Sequence, residues 1–80
     1  MTNFEVRVPK LGMDTIEAVI GIWLVQEGDL VKQGTPLVEL ESEKVSFALE
    51  SEVSGKLTKI VQPAGATVPV GDLLAMLEIE

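Results

Sequence analysis

The segment ELESEKVSFALE, Glu39 to Glu50, holds one amine, that of Lys44, among the carboxylates of Glu39, Glu41, Glu43 and Glu50. An exposed ion pair with any of them contributes only about 0–1 kcal/mol, so stability does not account for the lysine. A primary amine has another use, because once acylated it anchors a group whose chemistry no side chain supplies. Rival chemistries are poorly provided for. The 80 residues include no Cys and no His, which removes Ser-His-Asp and Cys-His catalysis, thiolate and imidazole metal sites, and disulfides. Carboxylate catalysis would need a cleft that so short a chain hardly encloses, and no Asp or Glu pair stands out for it. A net charge of −7 with six scattered basic residues opposes nucleic acid and favours partners with basic surfaces. No apolar run approaches the roughly 18 residues of a membrane span, and MTNFEVRVPK has no signal-peptide core, so a soluble cytoplasmic chain without membrane contact is expected.

The length fits one domain, 1–80, with a modest core. Its elements read as strands. Phe4 to Val8 alternates apolar and polar residues and stops at Pro9. Leu11 to Asp14 reads as a loop, and Ile16 to Val25 as a long β-branched run interrupted by Gly21, a strand that is either bent or buried on both sides. Glu27-Gly28-Asp29 makes a turn. Pro36–Glu41 and Val45–Glu50 form a hairpin with Lys44 at its turn and Val45, Phe47 and Leu49 on one face. The same segment also has helical propensity. Trp23 and Phe47 read as packing residues.

A repeat decides between hairpin and helix. At one offset of 37 residues, Gly28 aligns with Gly65, Val31 with Val68, Gly34 with Gly71, Leu37 with Leu74, Leu40 with Leu77 and Glu41 with Glu78. Gly55 before Lys56-Leu57 resembles Gly21 before Ile22-Trp23 and extends the likeness, with a small difference in length. Each half supplies a turn, a short strand and a bend, and neither buries its apolar face alone. Two halves face to face give an all-β, flattened sandwich or barrel with quasi-twofold symmetry. The second half stops where the first continues, too soon for an independent helix, which favours the hairpin.

PKLGM near the start, IWLVQEGDLVKQGTPLVELESEK in the middle, and SGKLTKIVQPAG with VPVGDLLAML at the end resemble the lipoyl domains of 2-oxo acid dehydrogenase complexes across nearly the whole chain. The resemblance implies a flattened β-barrel of two four-stranded antiparallel sheets, with Lys44 in Glu41-Ser42-Glu43-Lys44 as the attachment point for lipoic acid. It implies a non-catalytic carrier, part of a dihydrolipoamide acyltransferase. The arm would take an acyl group from a thiamin-dependent decarboxylase, pass it to coenzyme A at the acyltransferase catalytic domain, and be reoxidised by dihydrolipoyl dehydrogenase. A lipoate-attaching enzyme would load it, and the isolated domain would be a monomer. Glu41, Glu43 and Val45 are candidate recognition residues around the lysine, joined by Met13 and Asp14 of the loop that lies near the lipoyl-lysine in the family. PKLGM leans towards pyruvate dehydrogenase or acetoin-type complexes.

Ala18 departs from a common glycine, Glu52 from a proline, and Val45 from an alanine, the last bearing on how an attaching enzyme fits the turn. A biotinyl carrier domain shares the fold but flanks its lysine with methionines, where this chain has Glu43 and Val45. An unmodified lipoyl-like interaction module is a reading from another class, and whether Lys44 accepts an acyl group separates it from a carrier.

Overall fold

The computed structural model describes residues 2–10, 15–43 and 45–79. Among them are eight strands: β1 (Thr2–Arg7), β2 (Glu17–Trp23), β3 (Leu30–Val31), β4 (Pro36–Glu41), β5 (Ser46–Glu50), β6 (Gly55–Ile60), β7 (Thr67–Pro69) and β8 (Leu73–Ile79). They form two four-stranded antiparallel sheets, ordered β1-β8-β6-β3 and β5-β4-β2-β7. The all-β sandwich, with its hairpin and without helix among the described residues, is the architecture expected from the sequence.

The 37-residue repeat is visible bond by bond. Gly28 N–H donates to Leu57 O at 2.7 Å, and Leu57 N–H returns to Asp29 O at 2.9 Å. In the other half Gly65 N–H donates to Ile20 O at 2.7 Å, and Ile20 N–H returns to Ala66 O at 2.8 Å. The four turn glycines at 28, 34, 65 and 71 all have φ between 90° and 96°, a left-handed conformation that a Cβ disfavours. Between the sheets Ile20, Leu37, Leu40, Leu57, Leu74 and Leu77 are fully buried, each stabilising the fold by about 1.5–3 kcal/mol.

Two sequence expectations need correcting. Ile20 and Leu57 occupy equivalent places, so β2 and β6 keep the offset of 37 and Gly55 corresponds to Ala18, not to Gly21. The glycine likeness misled because Gly55 serves a contact: a Cβ there would lie 2.5 Å from Glu78 O. The run from Ile16 to Val25 is not buried on both sides either. Ala18 and Ile20 face the core and Val19 is exposed, because in a two-layer sandwich only one face of each strand meets the other sheet, and the register shift between Ile20 and Trp23 then turns Ile22 and Leu24 outward.

Trp23 and Phe47 pack against the core as partly buried side chains, and Trp23 Nε1–H donates to Gln62 O at 2.9 Å. β5 likewise mirrors β1. Gly34 N–H donates to Ser51 O as Gly71 N–H does to Val8 O, at 2.8 and 2.9 Å.

Candidate functional site at the β4–β5 turn

The end of the molecule where β4 turns into β5 is the hairpin pole. The ladder closes at Glu41 opposite Ser46, and Ser42 N–H then donates to Val45 O at 2.8 Å. The Ser42 hydroxyl also bridges the turn, accepting from Val45 N–H at 3.3 Å and lying 3.4 Å from Val45 O. Glu43 keeps a negative φ, which excludes the primed turns whose twist suits two-residue hairpins. The turn is therefore held by Ser42 and Val45 rather than by glycine.

Register brings β2 to the same pole. Val19 pairs with Glu41, which pairs with Ser46 on its other side. Glu17 lies two residues outward from Val19, at the same end of the sheet as Glu43. Glu17, Glu41 and Glu43 are all exposed there, and the one ion pair among the described residues, Arg7 with Glu5, belongs to β1. The pole is thus acidic, with apolar side chains at its edge: Val45 is 43% exposed, Val19 40% and Ile16 75%.

The structure therefore brings Glu41, Glu43 and Val45 together as expected. Lys44, Met13 and Asp14 lie outside the described residues. The sequence reading missed Ile16, Glu17 and Val19, although the alternation in Glu17-Ala18-Val19-Ile20 carried the signal, since Ala18 inside puts Glu17 and Val19 outside. Ser42 was passed over as well, and its place one residue beyond the last ladder pair is a recurrent position for a side chain that bonds the turn.

The two departures from quasi-symmetry meet at this pole. The turn itself is one, since its counterpart is the open end where Thr2 pairs with Ile79. The second is the connection into β2. Nine residues (9–17) join Val8 to Ala18, whereas three (52–54) join the equivalent Ser51 to Gly55. The longer connection enters β2 beside the turn, for Ile16 O accepts from Val70 N–H at 2.9 Å and Glu17 opens the strand.

Chemically, the turn displays rather than encloses. The turn lies beyond the last ladder pair, and Glu43 and Val45 on it are exposed. A cavity of about 210 Å³ opens elsewhere, between the edge strands β1 and β5, lined by Phe4, Val6, Leu37 and Leu49. It lies at the Glu50–Glu52 end of β5, away from the turn. No helix among the described residues is long and apolar enough to cross a membrane.

Residues 4–77 match the Biotin_lipoyl family, described as "Biotin-requiring enzyme". The chain is 45% identical over 92% of its length to the dihydrolipoyllysine-residue succinyltransferase component of the 2-oxoglutarate dehydrogenase complex of Bartonella vinsonii subsp. berkhoffii, spanning 18% of that protein. It is 37% identical over 88% of its length to the acetyltransferase component of the acetoin cleaving system of Pseudomonas putida, spanning 19% of it. The chain thus spans less than a fifth of the length of these relatives. Its fold superposes on the solution structure of the lipoyl domain of the 2-oxoglutarate dehydrogenase complex from Azotobacter vinelandii with a TM-score of 0.77 at 27% identity, covering 92% of this chain and 94% of that one.

Proposed function

We propose, from the premise that this chain belongs to the Biotin_lipoyl family, that Lys44 is the attachment point of a lipoyl arm and that the hairpin pole is its mount. The observation that carries this reading is the tight, exposed turn around position 44, closed by the Ser42–Val45 bond and lying beyond the ladder. Bound there as an amide, a lipoyl group would supply the dithiolane that accepts and releases acyl groups. The chain's own residues position and present it. Ser42 and Val45 hold the turn, the two sheets hold the hairpin, and Glu17, Glu41 and Glu43 give the pole a negative field that steers it to basic partner surfaces.

The relatives are named as acyltransferase components of multienzyme complexes, and this supports the same assignment for the protein to which this domain belongs. Its partners would be a thiamin-dependent decarboxylase, an acyltransferase catalytic domain, dihydrolipoyl dehydrogenase and a lipoate-attaching enzyme, in the cytoplasm. A tethered domain replaces encounters between free molecules with a search at high effective concentration, on the order of millimolar for short flexible links. The relatives are named as succinyltransferase and acetyltransferase components alike, which supports an acyl group chosen by the partner enzymes rather than by this pole.

Glu43 before the lysine favours lipoate over biotin, whose carriers flank the lysine with methionines. The test is intact mass and peptide mapping after incubation with a lipoate ligase and, separately, a biotin ligase. A lipoyl increment on the Lys44 peptide, absent from a Lys44→Arg variant that stays within about 0.5 kcal/mol of the parent in stability, is the expected result. An unlabelled parent, or a labelled variant, overturns the assignment.

A further inference from the structure

Two apolar side chains overhang the core at the hairpin pole, and the packing of the sheets uses neither. Ile16 is 75% exposed and Val45 43%, and neither is among the apolar residues packed against the buried cluster. Their places follow from register. Ile16 shares the inward side of its strand with Ala18 and Ile20, one step beyond the core. Val45 shares the inward side of β5 with Phe47 and Leu49, again one step beyond. Carried one residue outward, the Val19–Glu41 register sets Ala18 beside Ser42, which bonds Val45 across the turn, and Ile16 falls two residues further out along its strand. Ile16 and Val45 therefore lie on either side of the β4 strand, two strand spacings apart across the sheet and two residues apart along it, about 12 Å in all.

Exposed apolar side chains singly are ordinary, but here two stand on either side of the turn, and among the described residues neither is packed into the core. The occupant nearest to hand is the group joined to the residue preceding Val45. We propose that Ile16 and Val45 form a resting place for the lipoyl arm, against which its aliphatic chain and dithiolane lie between transfers; this rests on the assignment of Lys44 as the attachment residue. The tether makes a weak contact sufficient, because a group confined within reach of the pair acts at an effective concentration on the order of millimolar or more. The acidic residues of the pole, Glu17, Glu41 and Glu43, do not compete for an uncharged apolar arm, so the pair is the surface it prefers. A partner enzyme then draws the arm from a populated resting state, and its apparent affinity is the intrinsic one multiplied by the fraction of arm that is free.

The experiment uses the whole chain, lipoylated with methylene-labelled lipoate, and nuclear Overhauser effects between the arm and the methyl groups of Ile16 and Val45. Loading should shift both methyl signals and give cross-peaks from the dithiolane methylenes. An Ile16→Ser, Val45→Ser double variant, which lacks those methyls, should show faster arm motion by carbon relaxation. Unchanged signals of Leu40 and Leu77 report that the variant is folded. A loaded arm that moves as freely in the parent as in the double variant overturns the proposal and makes the pair a partner contact. A chain that takes no lipoyl group at Lys44 overturns the attachment assignment and the resting place with it.

Discussion

At Gly55 the chain passes so close to β8 that an alanine Cβ would sit 2.5 Å from Glu78 O and 3.1 Å from Glu78 C. Ordinary contact begins near 3.4 Å, so β6 and β8 would have to part by roughly 0.9 Å beside the Lys56–Glu78 pair. Forcing extra volume into a packed site costs about 1–3 kcal/mol, and the barrier here is backbone, which gives least. Against this, removing a glycine stabilises by about 0.4–1 kcal/mol through the unfolded chain. The net for Gly55→Ala is a loss of about 2 kcal/mol, or roughly 8–16 °C in midpoint for a domain of this size. Gly21 is the control, since its Cβ would meet Glu39 O at 3.3 Å and a shift of a few tenths of an ångström accommodates it, leaving a net near zero. Urea and thermal unfolding followed by the fluorescence of Trp23, the one tryptophan, measures both. Equal midpoints for the two variants would refute the reasoning, because the unfolded-state gain is common to both and only the clash differs.

Replacing Gly28 or Gly65 by alanine should cost about 1 kcal/mol each and by similar amounts, since both have φ above 90° and make the same bond in their halves; urea midpoints that differ widely would break the equivalence. Glu43→Met combined with Val45→Met should raise labelling by a biotin ligase relative to a lipoate ligase, read by intact mass. Removing residues 10–15, which brings the connection into β2 to the length of 52–54, should leave lipoylation in place yet lower reductive acylation by the decarboxylase at least about tenfold, roughly 1.4 kcal/mol of transition-state contact. Equal rates would show that the longer connection plays no part in recognition.

The pairs Gly28–Gly65 and Leu40–Leu77 made the two-sheet fold legible, because turn glycines and core leucines are constrained by local backbone and burial that the sequence states directly. The β6 alignment failed for the opposite reason. Gly55 is required by the approach of Glu78, a residue 23 positions away, and no local pattern announces that contact. Around the turn, Glu41, Glu43 and Val45 were readable from their neighbourhood to Lys44. Ile16, Glu17 and Val19 became part of the pole only through the β2–β4 register, and a β-branched run such as Ala18-Val19-Ile20-Gly21-Ile22 does not declare which of its sides meets water.

The pairing of Thr2 with Ile79 has a mechanical consequence. A force applied through those two residues meets β1 and β8 at their adjacent ends and runs across the ladder, so it opens the bonds one at a time from Thr2–Ile79 towards Arg7–Leu73. Peeling of this kind needs less force than shearing a whole ladder at once. The hairpin pole feels none of it directly, because β4 and β5 are joined by the chain itself at the turn. Such a force would fray the β1–β8 seam while leaving the β4–β5 turn closed.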